Sequence, residues 1–244
     1  MSEQLVVLSD ASRVDAPPDG TRASWRVRWF ELVLLLSIAF GPYVFSSLHV
    51  LTTGQASTPY SQDSRWTMSF FHEVTALLLL GYILARRKVR FTDLGLRWSL
   101  ADMTGGVGLA VGSYCAYVIG YFVVHAIQHA IFGAAHGGMT SQAIFGHPRI
   151  SAVPFFLLSP FFEELIARAY LMTEIRELTG SPTLSIALSV AVQTTYHLYY
   201  GWVGALSLAS MFLVFAVYYS MTRRATPIIV AHGAFDLFAL FRLW

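Results

Sequence analysis

Residues 154 to 168 are apolar apart from three charges near the middle: Pro154-Phe155-Phe156-Leu157-Leu158-Ser159-Pro160-Phe161-Phe162-Glu163-Glu164-Leu165-Ile166-Ala167-Arg168. A helix that spans a membrane needs about 20 mostly apolar residues, and the apolar run over 151–175 meets that length. One charged side chain at the centre of such a helix costs about 2.5–3.5 kcal/mol. The three charges must therefore face protein or water, which makes them candidates for function.

Helix geometry divides these three charges between two tasks. Glu164 and Arg168 are four residues apart, so they share a helix face and can neutralise each other. Glu163 points about 100° around the helix and lacks that partner, which leaves its carboxylate free for chemistry. Pro160 has no amide N–H and is expected to kink the helix one turn earlier, where water could enter. The alternative is a salt-bridge clasp that only holds two helices together.

The composition of the whole chain agrees with a membrane-embedded protein. Of 244 residues, 55 % are apolar and 12 % are charged, against roughly 25 % charged in an ordinary soluble domain. The formal net charge is only +2, so no strong field recruits a polyanion. These values exclude a disordered protein, a nucleic-acid binder and a typical cytosolic enzyme. The single cysteine, Cys115, excludes an intramolecular disulfide.

Seven apolar segments predict an all-α, polytopic transmembrane helix bundle. They are residues 29–51, 67–85, 101–132, 151–175, 183–201, 203–222 and 225–243. Residues 1–28 are polar and lack the pattern of a signal peptide, so we interpret them as a cytoplasmic N-terminal tail. The expected organisation is this tail, N-terminal transmembrane helices over 29–132, and a transmembrane core over 150–244.

The charges beside the spans predict the orientation. Twelve Lys and Arg residues lie in segments that are cytoplasmic if the N-terminus is inside, and three lie in the outer segments. This excess favours a cytoplasmic N-terminus.

Two details of the connections between the spans are also predicted. The fifth and sixth segments, separated only around Gly201, form a tight hairpin or one interrupted span. Residues 91–98 form an interfacial turn with an aromatic anchor.

Two histidines and an aspartate in later spans are further candidates. His197 lies late in the fifth span, and His232 and Asp236 share a face of the last span at four-residue spacing. At 1.5 Å per residue, Glu163 and His197 lie roughly 18–21 Å from the inner helix ends, whereas His232 lies only about 10 Å away. The depths of Glu163 and His197 agree, and that of His232 does not.

These residue types permit hydrolysis by either of two mechanisms. A carboxylate and a histidine can deprotonate a water molecule held between them, and further donors can stabilise an oxyanion. Alternatively, Glu163, His197 and His232 could hold Zn²⁺ with one position open for water. The absence of HExxH weakens the zinc version, and the cofactor is therefore either none or zinc.

The motifs together resemble the CPBP family, also called Abi or CAAX-type intramembrane proteases. Glu163-Glu164-x-x-x-Arg168 resembles the EExxxR motif, His197 with the residues after it resembles the second motif, and His232-x-x-x-Asp236 resembles the last. The resemblance covers about residues 150–240. The sequence departs from the family at Gln193, where an aromatic is usual and little effect on chemistry is expected. It departs again at Asp236, where Asn is common and can donate a hydrogen bond that an ionised Asp cannot.

The resemblance implies an intramembrane endopeptidase with a CAAX-protease-like core in the last four spans. It implies that Glu163 and His197 activate the attacking water, that His232 and Asp236 bind the oxyanion or complete the site, and that Glu164 and Arg168 support it. The implied substrate is a membrane-associated peptide or protein tail, and the implied location is the membrane of a bacterial cell.

Other interpretations remain open at this point. The same charged residues could relay protons or bind a cation in a transporter, or the chain could be an inactive immunity or scaffold protein with the same fold. His72 and Glu73 in the second span could support the site or clasp the bundle. The small residues Gly108, Gly112, Ala116 and Gly120 line one helix face, which favours close packing inside the bundle or a homodimer.

Overall fold

The computed structural model describes residues 24–54, 61–133 and 150–243, and the regular elements of these ranges are helical, with no strand. The helices are α1 (Trp25–Thr53), α2 (Gln62–Arg86), α3 (Leu100–Phe132), α4 (Val153–Glu163), α5 (Leu171–Thr179), α6 (Pro182–Tyr196), α7 (Gly201–Thr222) and α8 (Thr226–Leu243). A π-helical segment, Glu164–Tyr170, joins α4 to α5 without a break. Because these three pieces form one rod, the seven rods match the seven predicted spans in order.

Serines fix the beginnings of four helices. The side chains of Ser24, Ser61, Ser99 and Ser181 each accept a hydrogen bond from the backbone N–H three residues later, at 3.1–3.5 Å, and so satisfy a donor that the helix itself leaves free. The first helix therefore begins at Trp25, inside the predicted tail 1–28. The part of that tail before Ser24 lies outside the described residues.

Five rods are long and apolar enough to cross a membrane: α1, α2, α3, the rod Ile150–Thr179 and the rod Leu198–Thr222. Their outer faces carry large apolar side chains, such as Phe45, Leu100 and Phe122, that are 66–82 % exposed. Apolar surface on this scale needs lipid or another protein to cover it. The architecture is therefore a polytopic helical bundle.

The π-helical segment lies at the centre of this bundle, and all seven of its residues are buried. Its apolar side chains pack in one core with residues of α1, α2, α6, α7 and α8. The helix runs through Pro160 in α-helical form, and the departure from α-helical geometry begins at Glu164, four residues beyond the expected kink. The last helix passes close by, since a Cβ on Gly233 would lie 3.7 Å from Cγ of Pro160.

The connection between α6 and α7 is a tight hairpin, which is the first of the two predicted alternatives. α6 ends at Tyr196, a single 3₁₀ turn covers Leu198–Tyr200, and α7 starts at Gly201. Gly201 has a positive φ of 77°, which is a conformation that glycine adopts at little cost. The two helices then pack against each other.

The turn at 91–98 is anchored to the start of α8. The Ala225 N–H donates to the Gly95 carbonyl at 3.0 Å, and the Arg97 N–H donates to the Thr226 hydroxyl at 2.9 Å. Gly95 is required there, because its φ is +88° and a Cβ would collide with the backbone of Arg223. Trp98 is 56 % exposed, which suits the expected aromatic anchor at a membrane interface.

A network of ion pairs ties α1, α2 and α5 together at one end of the bundle. Glu174 pairs with Arg28 at 3.0 Å and with Arg87 at 2.8 Å, and Glu31 pairs with Arg86 and Arg87. Burial alone would lower the pKa of Arg87, but its hydrogen bond to Glu174 and its other acidic partners raise the pKa above its ordinary value. These five residues are called the end network below.

The stripe of small residues on α3 divides into two parts. A Cβ on Gly120 would collide with Ser210 of α7, whereas Gly108 and Gly112 have nothing within 4 Å of that position. Gly120 therefore serves packing inside the bundle, and the open part of the stripe leaves the expectation of a homodimer untested.

Candidate active site

Glu163 stands where α4 gives way to the π-helical segment, and its carboxylate has several polar neighbours. Oε2 accepts a hydrogen bond from the Tyr196 hydroxyl and a longer one, at 3.4 Å, from the Gln193 amide. Oε1 accepts from the Ser159 hydroxyl, also at 3.4 Å. Glu163 keeps 8 % of its surface exposed, whereas Glu164 has none. The carboxylate predicted to be free for chemistry is thus held in place by three polar side chains.

Glu164 and Arg168 form the expected pair inside the protein. Arg168 Nε lies 3.6 Å from Glu164 Oε2, and both side chains are fully buried. Arg168 also donates to the Ser189 hydroxyl at 2.8 Å, to the Gln193 side-chain oxygen and to the Phe212 carbonyl at 3.3 Å. The guanidinium therefore joins the π-helical segment to α6 and α7.

His232 brings α8 to both glutamates. Its Nδ1 lies 2.7 Å from Glu164 Oε1, which is a direct hydrogen bond to a carboxylate. Its Nε2 lies 3.8 Å from Glu163 Oε2 and 3.8 Å from Asp236 Oδ1. Both of these distances are too long for a direct hydrogen bond.

The position of His232 corrects the depth that was counted along the sequence. Counting placed it about 10 Å from the inner end, whereas the structure places it against Glu163. The start of α8 is covered by protein, since Ala225 and Thr226 are completely buried and the Ala225 N–H donates to Gly95 of the turn at 91–98.

His197 lies just beyond the end of α6, among aromatic rings. Its Nδ1 donates to the Gln193 carbonyl at 2.8 Å, because a carbonyl can only accept. The neutral ring then carries its lone pair on Nε2, which is the form of a general base. The rings of Tyr196, Tyr200 and Phe212 surround it, and it lies close enough to Glu163 and His232 to interact with both electrostatically.

His72 and Glu73 in the second span take different roles. His72 Nε2 lies 2.9 Å from the Ala39 carbonyl of α1, which clasps α2 to α1. Glu73 is 1 % exposed and faces the site, where the Ser159 hydroxyl reaches it and where Glu163, His232 and Asp236 are its charged neighbours. One oxygen of Glu73 has no hydrogen-bond partner among the described residues.

Three side chains of the candidate site are of the types that bind metal ions. Glu163, Glu164 and His232 each offer a ligand atom, and these atoms all lie within 4.8 Å of one another. Carboxylate oxygens and imidazole nitrogens are ligands that zinc takes, and Glu164 Oε2 lacks a hydrogen-bond partner among the described residues. The set inferred from the sequence was Glu163, His197 and His232. Among the described residues, Glu164 rather than His197 completes the cluster.

Sequence reasoning did not place Tyr196 beside Glu163, and it named Gln193 only as a departure from the family pattern with little expected effect. Tyr196 and Gln193 lie three residues apart on α6, so they share the helix face turned to the π-helical segment. Both are buried, and Gln193 is completely so. A glutamine inside an apolar span was the signal that could have identified this face, because a buried amide needs partners.

The part of the chain that carries this site is similar to a known protein family. The family model described as type II CAAX prenyl endopeptidase Rce1-like matches residues 145–238. That range contains every candidate residue from Glu163 to Asp236, and it confirms the resemblance to the CAAX-type family. No curated protein and no solved structure matches the chain. Together with the five long apolar helices, the match supports an integral membrane protein of the protease type.

Proposed function

We propose, on the premise that residues 145–238 are similar to CAAX-type endopeptidases, that this chain hydrolyses a peptide bond in a membrane-associated peptide or protein tail. The observation that carries the proposal is the convergence of Glu163 and His232, at 3.8 Å, inside an apolar bundle. Two buried glutamates beside a histidine are costly in such a place. They are explained if they hold and activate water.

In the proposed reaction, Glu163 is the general base. Its carboxylate removes a proton from a water molecule while the water oxygen attacks the carbonyl carbon of the substrate. His197 assists through its Nε2 lone pair. Glu163 then returns the proton to the leaving nitrogen as the C–N bond breaks, which gives a carboxylic acid and an amine, and the acid passes its proton to the amine or to water. The Tyr196 and Ser159 hydroxyls hold Glu163 in position for both transfers.

His232 is the proposed donor to the oxyanion. Its Nδ1 is held by Glu164, and a ring flanked by carboxylates is stabilised in the form that carries protons on both nitrogens. Nε2–H can then donate to the negative oxygen of the tetrahedral intermediate. Asp236 lies beside the same nitrogen. Its negative charge stabilises the protonated His232 ring, and Asp236 does not itself donate to the oxyanion.

If the enzyme uses a metal, Glu163, Glu164 and His232 would hold it, and the ion would supply a Lewis acid and a more acidic bound water. Glutamic-type and metallo-type hydrolysis therefore share the same side chains. Chelation followed by metal add-back separates them, since only a metallo-type enzyme loses activity and regains it.

The proposed location is a bacterial cell membrane with the N-terminus in the cytoplasm. The support is the excess of Lys and Arg beside the inner ends of the spans, which include the end network around Glu31 and Glu174. The proposed partners are the lipid bilayer and a membrane-anchored substrate, with a homodimer through the open part of the α3 stripe as a further proposal.

The experiment that tests the function is quantitative peptidomics of membranes from cells that express wild type or Glu163→Gln at matched levels. Glu163→Gln keeps the volume and removes the base. The control is Glu177→Gln, which changes an acid that is more than half exposed on α5 and pairs with Arg28. Peptides that appear with wild type and the control, but not with Glu163→Gln, establish proteolysis and name the cut site. Identical peptides from all three overturn the proposal.

A further inference from the structure

Gln193 contacts four members of the candidate site. Its side-chain nitrogen lies 3.4 Å from Glu163 Oε2 and 3.4 Å from Glu164 Oε1. Its side-chain oxygen accepts a hydrogen bond from Arg168, and its backbone carbonyl accepts from His197 Nδ1. The residue is completely buried. One residue of α6 therefore touches both glutamates, the arginine and one histidine.

The chemistry of its neighbours fixes which way the amide points. Arginine can only donate, so the amide oxygen must face Arg168, and ionised carboxylates can only accept, so the amide nitrogen must face Glu163 and Glu164. The NH₂ group has two hydrogens, one for each carboxylate. This orientation satisfies all three neighbours at once, and the reversed orientation satisfies none of them.

We propose that Gln193 is a positioning residue that holds the Glu163 carboxylate at a fixed distance from the Glu164–Arg168 pair, so that Glu163 faces the attacking water. This inference rests on the proposed function, since it assigns Glu163 the role of base. It differs from the expectation that a glutamine at this position has little effect on the chemistry. An apolar side chain here would leave two adjacent carboxylates with no donor between them.

Repulsion between the two carboxylates is the force that Gln193 counters. Glu163 and Glu164 each present an oxygen to the same amide, and Arg168 pairs with Glu164 alone. Without the amide, Glu163 keeps the Tyr196 and Ser159 hydroxyls but loses the connection to Arg168 that runs through Gln193. We expect its carboxylate then to turn away or to take up a proton, and either change removes the base.

The first test measures kcat and KM for two variants on the substrate that peptidomics identifies. Gln193→Met keeps the length and removes both hydrogen-bonding groups, and Gln193→Glu keeps the acceptor for Arg168 but removes the donors. We expect kcat to fall about 10–100-fold in both, as for other residues that orient a reacting group, with KM within about twofold. The control is Thr195→Val on the same helix, whose hydroxyl donates to the Ala191 carbonyl at 2.7 Å.

The second test does not depend on cleavage. Carbodiimides react with protonated carboxyl groups, so mass spectrometry of the peptide that contains Glu163 and Glu164 reports whether one of them has taken up a proton. We expect labelling of Gln193→Met to rise several-fold over wild type and over Thr195→Val.

The outcomes of the two tests separate the proposals. A wild type that cuts no substrate overturns the proposed function, while raised labelling of Gln193→Met still supports the positioning role. A wild type that cuts normally and a Gln193→Met variant with unchanged kcat overturn the positioning role and leave the function intact. Unchanged labelling together with unchanged kcat overturns the positioning role, whereas unchanged labelling with a lowered kcat means that the carboxylate has turned away without taking up a proton. A purely structural role would lower the yield of folded protein without changing kcat per folded molecule.

Discussion

Two buried clusters of charge in this bundle differ in how well they are balanced. In the end network, three arginines surround two glutamates, and Glu31 and Glu174 each have two cationic partners. In the candidate site, Glu163, Glu164 and Asp236 face Arg168 and one histidine, with Glu73 nearby. A cluster in which every acid is paired serves the fold. A cluster with surplus acids in an apolar setting needs water, protons or a metal to be complete, which is the property of a reactive site.

The largest expected effect comes from removing one acid from each cluster. Glu163→Gln should lower kcat/KM by about 10²–10⁴-fold, the usual contribution of a general base, with little loss of stability because the site has surplus acid. Glu31→Gln should leave activity near wild type and lower stability, since its arginines lose a charged acceptor. Cleavage assays and thermal unfolding in detergent measure both. Equal losses of activity in the two variants would contradict the assignment of one cluster to function and the other to the fold.

The next largest effect concerns the pair at the centre of the site. Arg168→Ala or Glu164→Ala leaves a fully buried charge without its partner, which costs about 3–5 kcal/mol, so both folding stability and activity should fall. The measurement is the unfolding transition in detergent together with the cleavage rate. If Glu164→Ala folds and cuts as wild type does, this pair is not the support that we describe.

Two variants of Asp236 test how the site holds His232, and their expected effect is smaller. Asp236→Asn keeps an oxygen beside His232 Nε2 and removes only the negative charge, so cleavage should stay within about tenfold of wild type. Asp236→Leu removes both and should cost about 10²-fold or more, the range seen when an oxyanion donor is lost. Equal activity of the two variants would show that Asp236 does not act on His232.

The smallest effect is expected at the exposed edge of the end network. The side chain of Arg86 is 47 % exposed, whereas that of Arg87 is 11 % exposed, and exposed pairs contribute about 0–1 kcal/mol. Arg86→Gln should therefore shift the unfolding transition much less than Arg87→Gln. A larger shift from Arg86→Gln would mean that exposure does not decide the strength of these pairs.

The sequence predicted those parts of the site that depend on spacing within one helix. Glu164 with Arg168 and His232 with Asp236 are both four residues apart, and both pairs meet in the structure. The order of the spans was predicted for the same reason, because apolar length is a local property. The resemblance over residues 150–240 agrees with the family match over 145–238.

Contacts between helices could not be predicted in the same way. The change to π-helical geometry at Glu164 alters the directions in which residues project from the helix. No periodicity in the sequence predicts this change. The face of α6 that carries Gln193 and Tyr196 became evident only when that helix was placed against the π-helical segment. Counting along the sequence misjudged the depth of His232 relative to Glu163, because a count within one helix carries no information on how that helix packs against the others.

The anchored turn at 91–98 has a practical consequence for engineering this protein. Surface turns are the usual places for epitope tags and fused domains, and this one is short, partly exposed and close to a membrane interface. Its backbone nevertheless holds the first residues of α8 through Gly95 and Arg97, and His232 lies only six residues further along. A tag inserted here would displace the helix that carries His232, whereas Gly180 lies in a turn where even a Cβ would meet nothing within 4 Å, and we expect an insertion there to disturb the bundle less.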